Sequence, residues 1–316
     1  METKYALSIV IPVYNSSETI EMLVNKLTQL PVPGGIEIIL VNDGSSDATG
    51  EICDALIEKH FVPITVINHS RNFGEHNAVM TGLRHARGEY VITMDDDLQN
   101  PPGEVLKLFN YARQSGCDVV YTRFREKKHS IWRNIGSRLT NKMADYLLDK
   151  PKGLYLSTFR CMNAFLVEKI CDYTGPFPYV DGLILQITQR IDTFEVDHFE
   201  RPKGKSSYTL RKLIRLWLSM FLNFSIMPLR ISSILGMILF FIGILWACAT
   251  VVEYFVSGGT PPGWTQLMCS IFVFLGIQLF ITGIAGEYIG RLYLTANKKP
   301  QAVIRNIKTT KSNKQK

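Results

Sequence analysis

From Arg230 to Glu287 the only intervening charge is Glu253, and that sets the first limit on what the chain can fold into. Two apolar runs result, 231–252 and 264–286. A helix rises about 1.5 Å per residue and the hydrocarbon core of a bilayer is about 30 Å thick, so either run is long enough to cross one. The alternative is a pair of buried core helices in a water-soluble protein, which are seldom free of charge for so long. The expectation is two transmembrane helices, 231–256 and 264–288, followed by a basic cytoplasmic tail over 289–316.

The connector EYFVSGGTPPGW has no Lys or Arg, whereas RPKGKSSYTLRKLIRLW before the first run and NKKPQAVIRNIKTTKSNKQK after the second are rich in them. By the positive-inside bias both long ends face the cytoplasm, as in a multi-pass protein of the inner (plasma) membrane. The opening METKYALSIVIPVYN has neither the apolar stretch nor the cleavage site of a signal peptide. Over 209–230, Arg211, Lys212 and Arg215 mix with Trp217 and large apolar residues, the composition of an amphipathic helix lying in the membrane interface rather than of a core helix. The tail from Ala296 carries seven Lys or Arg and no acid, matching the net charge of +7. It reads as solvated, disordered chain drawn to anionic headgroups, so no nucleic-acid partner is needed to explain it. Six scattered cysteines without a CxxC pair read as reduced structural thiols, with no zinc site.

Residues 1–208 follow another pattern. Strands are expected at 7–14, 36–43, 62–68, 89–95 and 117–124, and helices at 16–30, 45–60, 75–86 and 102–116, the first two opening on serine caps. Alternation of this kind builds a doubly wound, mostly parallel α/β sheet with ligands at the carboxyl ends of its strands. The polar residues fall at those ends: Tyr14 and Asn15, then Asp43, then Arg71 to Gly74, then Asp95, Asp96 and Asp97.

Three acids in the turn MDDDLQNPP repel one another unless a cation sits among them. Carboxylates with open coordination positions suit Mg²⁺ or Mn²⁺ arriving with substrate phosphates. The plainer alternative is that Asp97 or Asn100 caps the helix after Pro101 and Pro102. In VNDGSSD, Asp43 can accept the imide N–H of a pyrimidine, while Ser46 and Asp47 serve a turn and a cap. RNFG places Arg71, Asn72 and Gly74 before a helix N-terminus, a place suited to anions. Together these features describe a nucleotide diphosphate site.

With SIVIPVYN, VNDGSSD, RNFGEHNAVMTGL, MDDDLQNPP, RPKGKSSYTLRKL, MPLR and GEYIGRLY, the chain resembles the polyprenyl-phosphate glycosyltransferases of glycosyltransferase family 2. The resemblance implies a GT-A catalytic domain over 1–208 that moves a sugar, with inversion, from a UDP-sugar to undecaprenyl phosphate. It assigns Asp95 and Asp97 to the metal and the sugar-nucleotide, and Asp97 to catalysis. Asp43 would meet the uracil and Pro12 and Tyr14 would line the base pocket, with Asn15, Asn72, Gly74 and Asp96 in the same nucleotide site. Arg123, Arg133 and Ser137 would hold the acceptor phosphate. Arg201, Lys205, Ser206 and Tyr208 match a loop closing over the donor diphosphate, although the common order G-E-S-K-Y reads Gly204-Lys205-Ser206-Ser207-Tyr208 here. A solvated basic run is the alternative for that segment. Self-association through the spans is also implied.

One departure bears on mechanism. Relatives often carry an aspartate where this chain has Thr158, and for a hydroxyl acceptor losing a general base costs roughly 10²- to 10⁴-fold in rate. A phosphate monoester, mostly dianionic at neutral pH, needs no base. The missing acid therefore weighs against a glycolipid or saccharide hydroxyl as acceptor, and the intact acid turn against a scaffold protein without catalysis. For Asp181, in PYVDGLIL, the two readings are compensation for that missing acid and a helix cap, and the cap is the expectation.

Overall fold

The computed structural model describes residues 4–124, 154–196 and 263–310, with isolated positions between 234 and 256. The chain divides into two compact units, Met1–Tyr208 joined by Lys299–Lys316, and Thr209–Lys298.

In the first unit, β1 (Tyr5–Val13), β2 (Ile36–Asn42), β3 (Ile64–His69) and β4 (Gly88–Thr93) are parallel neighbours. β2 is buried at every position, which is why it reads as an unbroken apolar run: strands covered on both faces need no polar alternation. β6 (Arg160–Asn163) runs antiparallel between β4 and β5 (Val119–Phe124), and β7 (Ile191–Val196) lies parallel to β5. β8 (Ile304–Thr309) closes the other margin antiparallel to β3, giving the order β7-β5-β6-β4-β1-β2-β3-β8.

α1 (Ile20–Leu27), α2 (Thr49–Lys59) and α4 (Pro102–Ser115) set Leu23, Leu56 and Phe109 into one core with Ile9, Ile38 and Ile92. α3 (Glu75–His85) packs on β1 and β2, beside α5 (Ala164–Cys171) and α6 (Val180–Ile187). Its approach is close: a Cβ on Gly82 would stand 2.3 Å from Val10 Cγ1 and 3.2 Å from Val41 Cγ2.

Three expectations change. The serine caps are absent: α1 starts at Ile20 behind Thr19 and α2 at Thr49 behind Ala48, neither with a side-chain cap bond. Ser16 instead donates its hydroxyl to the Asp96 carboxylate, a charge-assisted bond stronger than the neutral bond a cap accepts from a backbone N–H. The tail is not free chain either, since 304–309 forms β8. Without it β3 would be an edge with unpaired backbone groups, and Lys308 adds an ion pair to Asp54 at 2.7 Å. Asp181, finally, does not cap α6, whose N-cap is Tyr179.

In the second unit, α7 (Trp264–Ala296) is continuous over 33 residues, about 50 Å at the usual rise. Leu267, Phe274, Leu275, Leu279 and Phe280 on it are exposed. Among the described residues no helix is long and apolar enough to cross a membrane. The expected interfacial helix at 209–230 lies outside the described residues, as do ten of the 22 residues of the first apolar run, 231–252. The described cysteines are free thiols.

Gly82→Ala is expected to lower unfolding stability by about 1–3 kcal/mol through overpacking against Val10, read from urea unfolding of the purified chain.

Candidate active site

The loops that leave β1 to β4 are tied to one another by side chains. Asp43, 3% exposed after β2, accepts from His69 Nδ1 at 2.8 Å, Phe73 N–H at 2.9 Å and Gly74 N–H at 2.8 Å. A carboxylate offers about four acceptor positions, so this one spends most of its capacity fixing the β3–α3 loop. Gly44 makes the approach feasible: with φ +66°, its Cβ would fall 2.4 Å from the carbonyl carbon of Arg71. On the other side, Asn15 N–H donates to Ser45 Oγ at 3.1 Å and Asn15 Oδ1 accepts from Ser46 N–H at 2.9 Å. Asn15 adopts φ 52°, a conformation asparagine tolerates better than most residues.

The acid turn follows β4. Each member has its own neighbour. Asp95 Oδ2 accepts from Thr158 Oγ1 at 2.7 Å, and Thr158 is itself held by Thr93 Oγ1, which donates to its carbonyl at 2.6 Å. Asp96 Oδ2 accepts from Ser16 Oγ and, at 3.3 Å, from Tyr14 N–H, joining the turn to β1. Asp97 Oδ1 accepts from Gln99 N–H at 3.1 Å. Neither Asp97 nor Asn100 caps α4, whose N-cap is Pro101 without a side-chain bond. Leu98 sits in the left-handed region at φ 61° and packs on the core.

Burial raises the Asp95 carboxyl to about 6, with the Thr158 hydroxyl opposing and the charges of Asp97 and Asp96 adding to the rise. Burial also raises Asp96, against the bonds from Ser16 and Tyr14. Glu75, at the start of α3, keeps solvent access, yet desolvation and then the charge of Asp95 push its carboxyl up to about 7.

Beneath lies a group that the sequence reading did not single out. Arg160, 2% exposed on β6, forms an ion pair with Asp181, 7% exposed. Tyr121 OH donates to the same Asp181 oxygen at 3.0 Å, and the Tyr179 ring meets His76 edge-on at 5.0 Å. Arg160 belongs to the stretch TFRCMN next to Thr158, which was the available signal; what no local pattern carries is its partner 21 residues on.

Residues 8–171 match the family model described as glycosyl transferase family 2. The chain belongs to this family. Among curated family members, the undecaprenyl-phosphate 4-deoxy-4-formamido-L-arabinose transferase of Serratia proteamaculans is 33% identical over 310 residues, 95% of this chain and 93% of that protein. Its counterpart in Yersinia enterocolitica is 34% identical, again over 95% and 93%. Glucosyl-3-phosphoglycerate synthase from Mycobacterium tuberculosis, solved with Mn²⁺, UDP and phosphoglyceric acid, shares the fold, with a TM-score of 0.50 at 20% identity over 69% of this chain and 76% of that one.

Of the residues that the resemblance assigns, Tyr14, Asn15, Asp43, Gly74, Asp95 and Asp96 are linked through the loop contacts above. Asp97 follows in the same turn, Asn72 is exposed in the β3–α3 loop, and Pro12 pairs with Val41 inside β1. Arg123 is exposed on β5 opposite Glu195 and joins none of those contacts. Arg133, Ser137, Arg201, Lys205, Ser206 and Tyr208 lie outside the described residues. No three His, Cys, Asp or Glu side chains among the described residues converge as a metal cage. The donor set fits a hard divalent cation held by Asp95 and Asp97 and completed by phosphate oxygens, the usual manner of Mg²⁺ in phosphate sites.

Two outcomes are expected. Arg160→Leu, which strands the buried Asp181 charge, lowers stability by about 3–5 kcal/mol, and adding Asp181→Leu recovers much of it, as read from urea unfolding. Burial lowers the His76 imidazole from 6.5 to about 4, so the folded chain binds that proton less readily than the unfolded one. Its contribution to stability is whole above pH 6.5 and declines as pH falls towards 4. His76→Phe therefore flattens the decline in urea midpoint across that interval.

Proposed function

We propose that the chain transfers a sugar, with inversion, from a UDP-sugar to undecaprenyl phosphate at the cytoplasmic face of a membrane. The observation that carries the reading is the acid turn. Asp95 and Asp97 lie in the turn after β4, and in this reading the base and diphosphate lie against the loops that Asp43 and Asn15 fix. The names of the curated relatives support the acceptor, and their named sugar, 4-deoxy-4-formamido-L-arabinose, is a first donor residue to assay.

In this reading a divalent cation, Mg²⁺ or Mn²⁺, supplies charge neutralisation at the departing diphosphate. Asp95 and Asp97 orient the donor. Thr158 donates a hydrogen bond to Asp95 and supplies no base, which suits an acceptor that is mostly dianionic already. Arg123, Arg133 and Ser137 hold that phosphate in line with the anomeric carbon, and Arg201, Lys205, Ser206 and Tyr208 close over the diphosphate. The apolar runs and the exposed apolar side chains of α7 anchor the enzyme as two spans, with both termini cytoplasmic. Copies associate through those spans. No nucleic acid takes part.

With undecaprenyl phosphate in nanodiscs and labelled UDP-sugars, Asp97→Asn is expected to reduce transfer at least about 100-fold, and chelation by EDTA to abolish it until Mg²⁺ or Mn²⁺ is restored. Full transfer by Asp97→Asn excludes the role given to this acid.

A further inference from the structure

One rung of the sheet runs through three asparagines. Val13 on β1 pairs with Asn42 on β2, Asn42 with Asn68 on β3, and Asn68 with Asn306 on β8. Their side chains are joined across the strands: Asn42 Nδ2 donates to Asn68 Oδ1 at 2.8 Å, and Asn68 Nδ2 donates to Asn306 Oδ1 at 2.8 Å. At the inner end, Asn42 Oδ1 accepts from Ser45 N–H at 3.0 Å, and Ser45 Oγ accepts from Asn15 N–H at 3.1 Å. The two inner amides each accept with oxygen and donate with nitrogen in the same sense, so each bond polarises the next. The series begins on β8 and ends at the β1–α1 loop.

We infer that Asn306 is a positioning residue for the nucleotide-sugar donor, acting through Asn68, Asn42 and Ser45 on the loop of Tyr14 and Asn15. The inference rests on the reading of those loops as the donor site. Asn15 stands at positive φ, a conformation open to asparagine that its neighbours fix in one arrangement. Its N–H and Oδ1 are satisfied by Ser45 and Ser46, and Ser45 is in turn oriented by Asn42. Space is reserved for this arrangement on the helix side: a Cβ on Gly50 would come to 3.1 Å from Asn42 Nδ2.

The docking of β8 does not depend on Asn306. Its backbone pairs with β3 from Thr65 to His69, and Ser70 N–H donates to Val303 O at 2.8 Å. Gln301 Nε2 donates to Gly175 O at 2.6 Å and Tyr173 O at 3.2 Å, while Lys308 reaches Asp54 at 2.7 Å. A change at Asn306 therefore loosens the amide series while the strand stays in place.

The test uses the full chain in nanodiscs, with the Kd of UDP measured by calorimetry and KM and kcat by sugar transfer. Asn306→Leu is expected to raise the Kd of UDP and the KM of the UDP-sugar about 3- to 10-fold, the effect of one lost hydrogen bond, with kcat little changed. Asn306→Asp keeps the acceptor oxygen and restores wild-type values. Lys308→Ala, on the same strand but off the series, leaves them unchanged. Wild-type Kd and KM in Asn306→Leu overturn the inference, as does an equal loss in Lys308→Ala, which would reduce the effect to strand docking. If Asn306→Leu does not fold, Gly50→Ala disturbs Asn42 from α2 and decides the matter by the same readout. Wild-type protein that binds no UDP overturns the donor-site reading itself; binding that is equal in wild type and Asn306→Leu overturns only the role of Asn306.

Discussion

Carboxylates crowded into one turn at the end of a buried strand repel each other, and each must find a different donor to stay where it is. Asp95 takes the Thr158 hydroxyl, Asp96 takes Ser16 and the Tyr14 amide, and Asp97 takes the Gln99 amide. These bonds do more than offset repulsion. They fasten the β4 turn to β1 on one side and to the segment before β6 on the other, so strand ends from distant parts of the chain share one crevice. Partial desolvation makes the remaining charge costly, pushing the Asp95 and Asp96 carboxyls up, and a nearby cation is what relieves such a cost.

Asp43 works in the opposite sense. Its charge is absorbed by His69 and two backbone amides, making it a clamp on the β3–α3 loop. The family relationship places these two devices, clamp and acid turn, in a sugar-transferring scaffold. Thr158 offers a hydroxyl that steadies Asp95 but cannot serve as a general base.

The central sheet was legible because β1, β2 and β4 are covered on both faces and cannot hide their apolar runs. The acid turn and the Asp43 turn were legible for a related reason, since polar residues directly behind such runs have few structural excuses. β6 was not: Arg160–Asn163 spans only four residues, too few for a period to emerge. β8 was hidden by composition, because IRNIKT reads as basic tail until β3 offers it an edge. Arg160 and Asp181 looked ordinary apart, and only the fold brings a cation and an anion together in the interior. The serines of SSETIEMLV misled because a capping side chain and a carboxylate partner carry the same sequence signature.

The backbone at Leu98 carries a further meaning. A leucine in the left-handed region is disfavoured by about 1–2 kcal/mol, and here it stays because its side chain is gripped by the core. The bend of the acid turn is thus dictated from below, by oily packing, rather than from above by whatever occupies the crevice. The carboxylates are held in place by the fold itself, and the molecule carries that tension at rest.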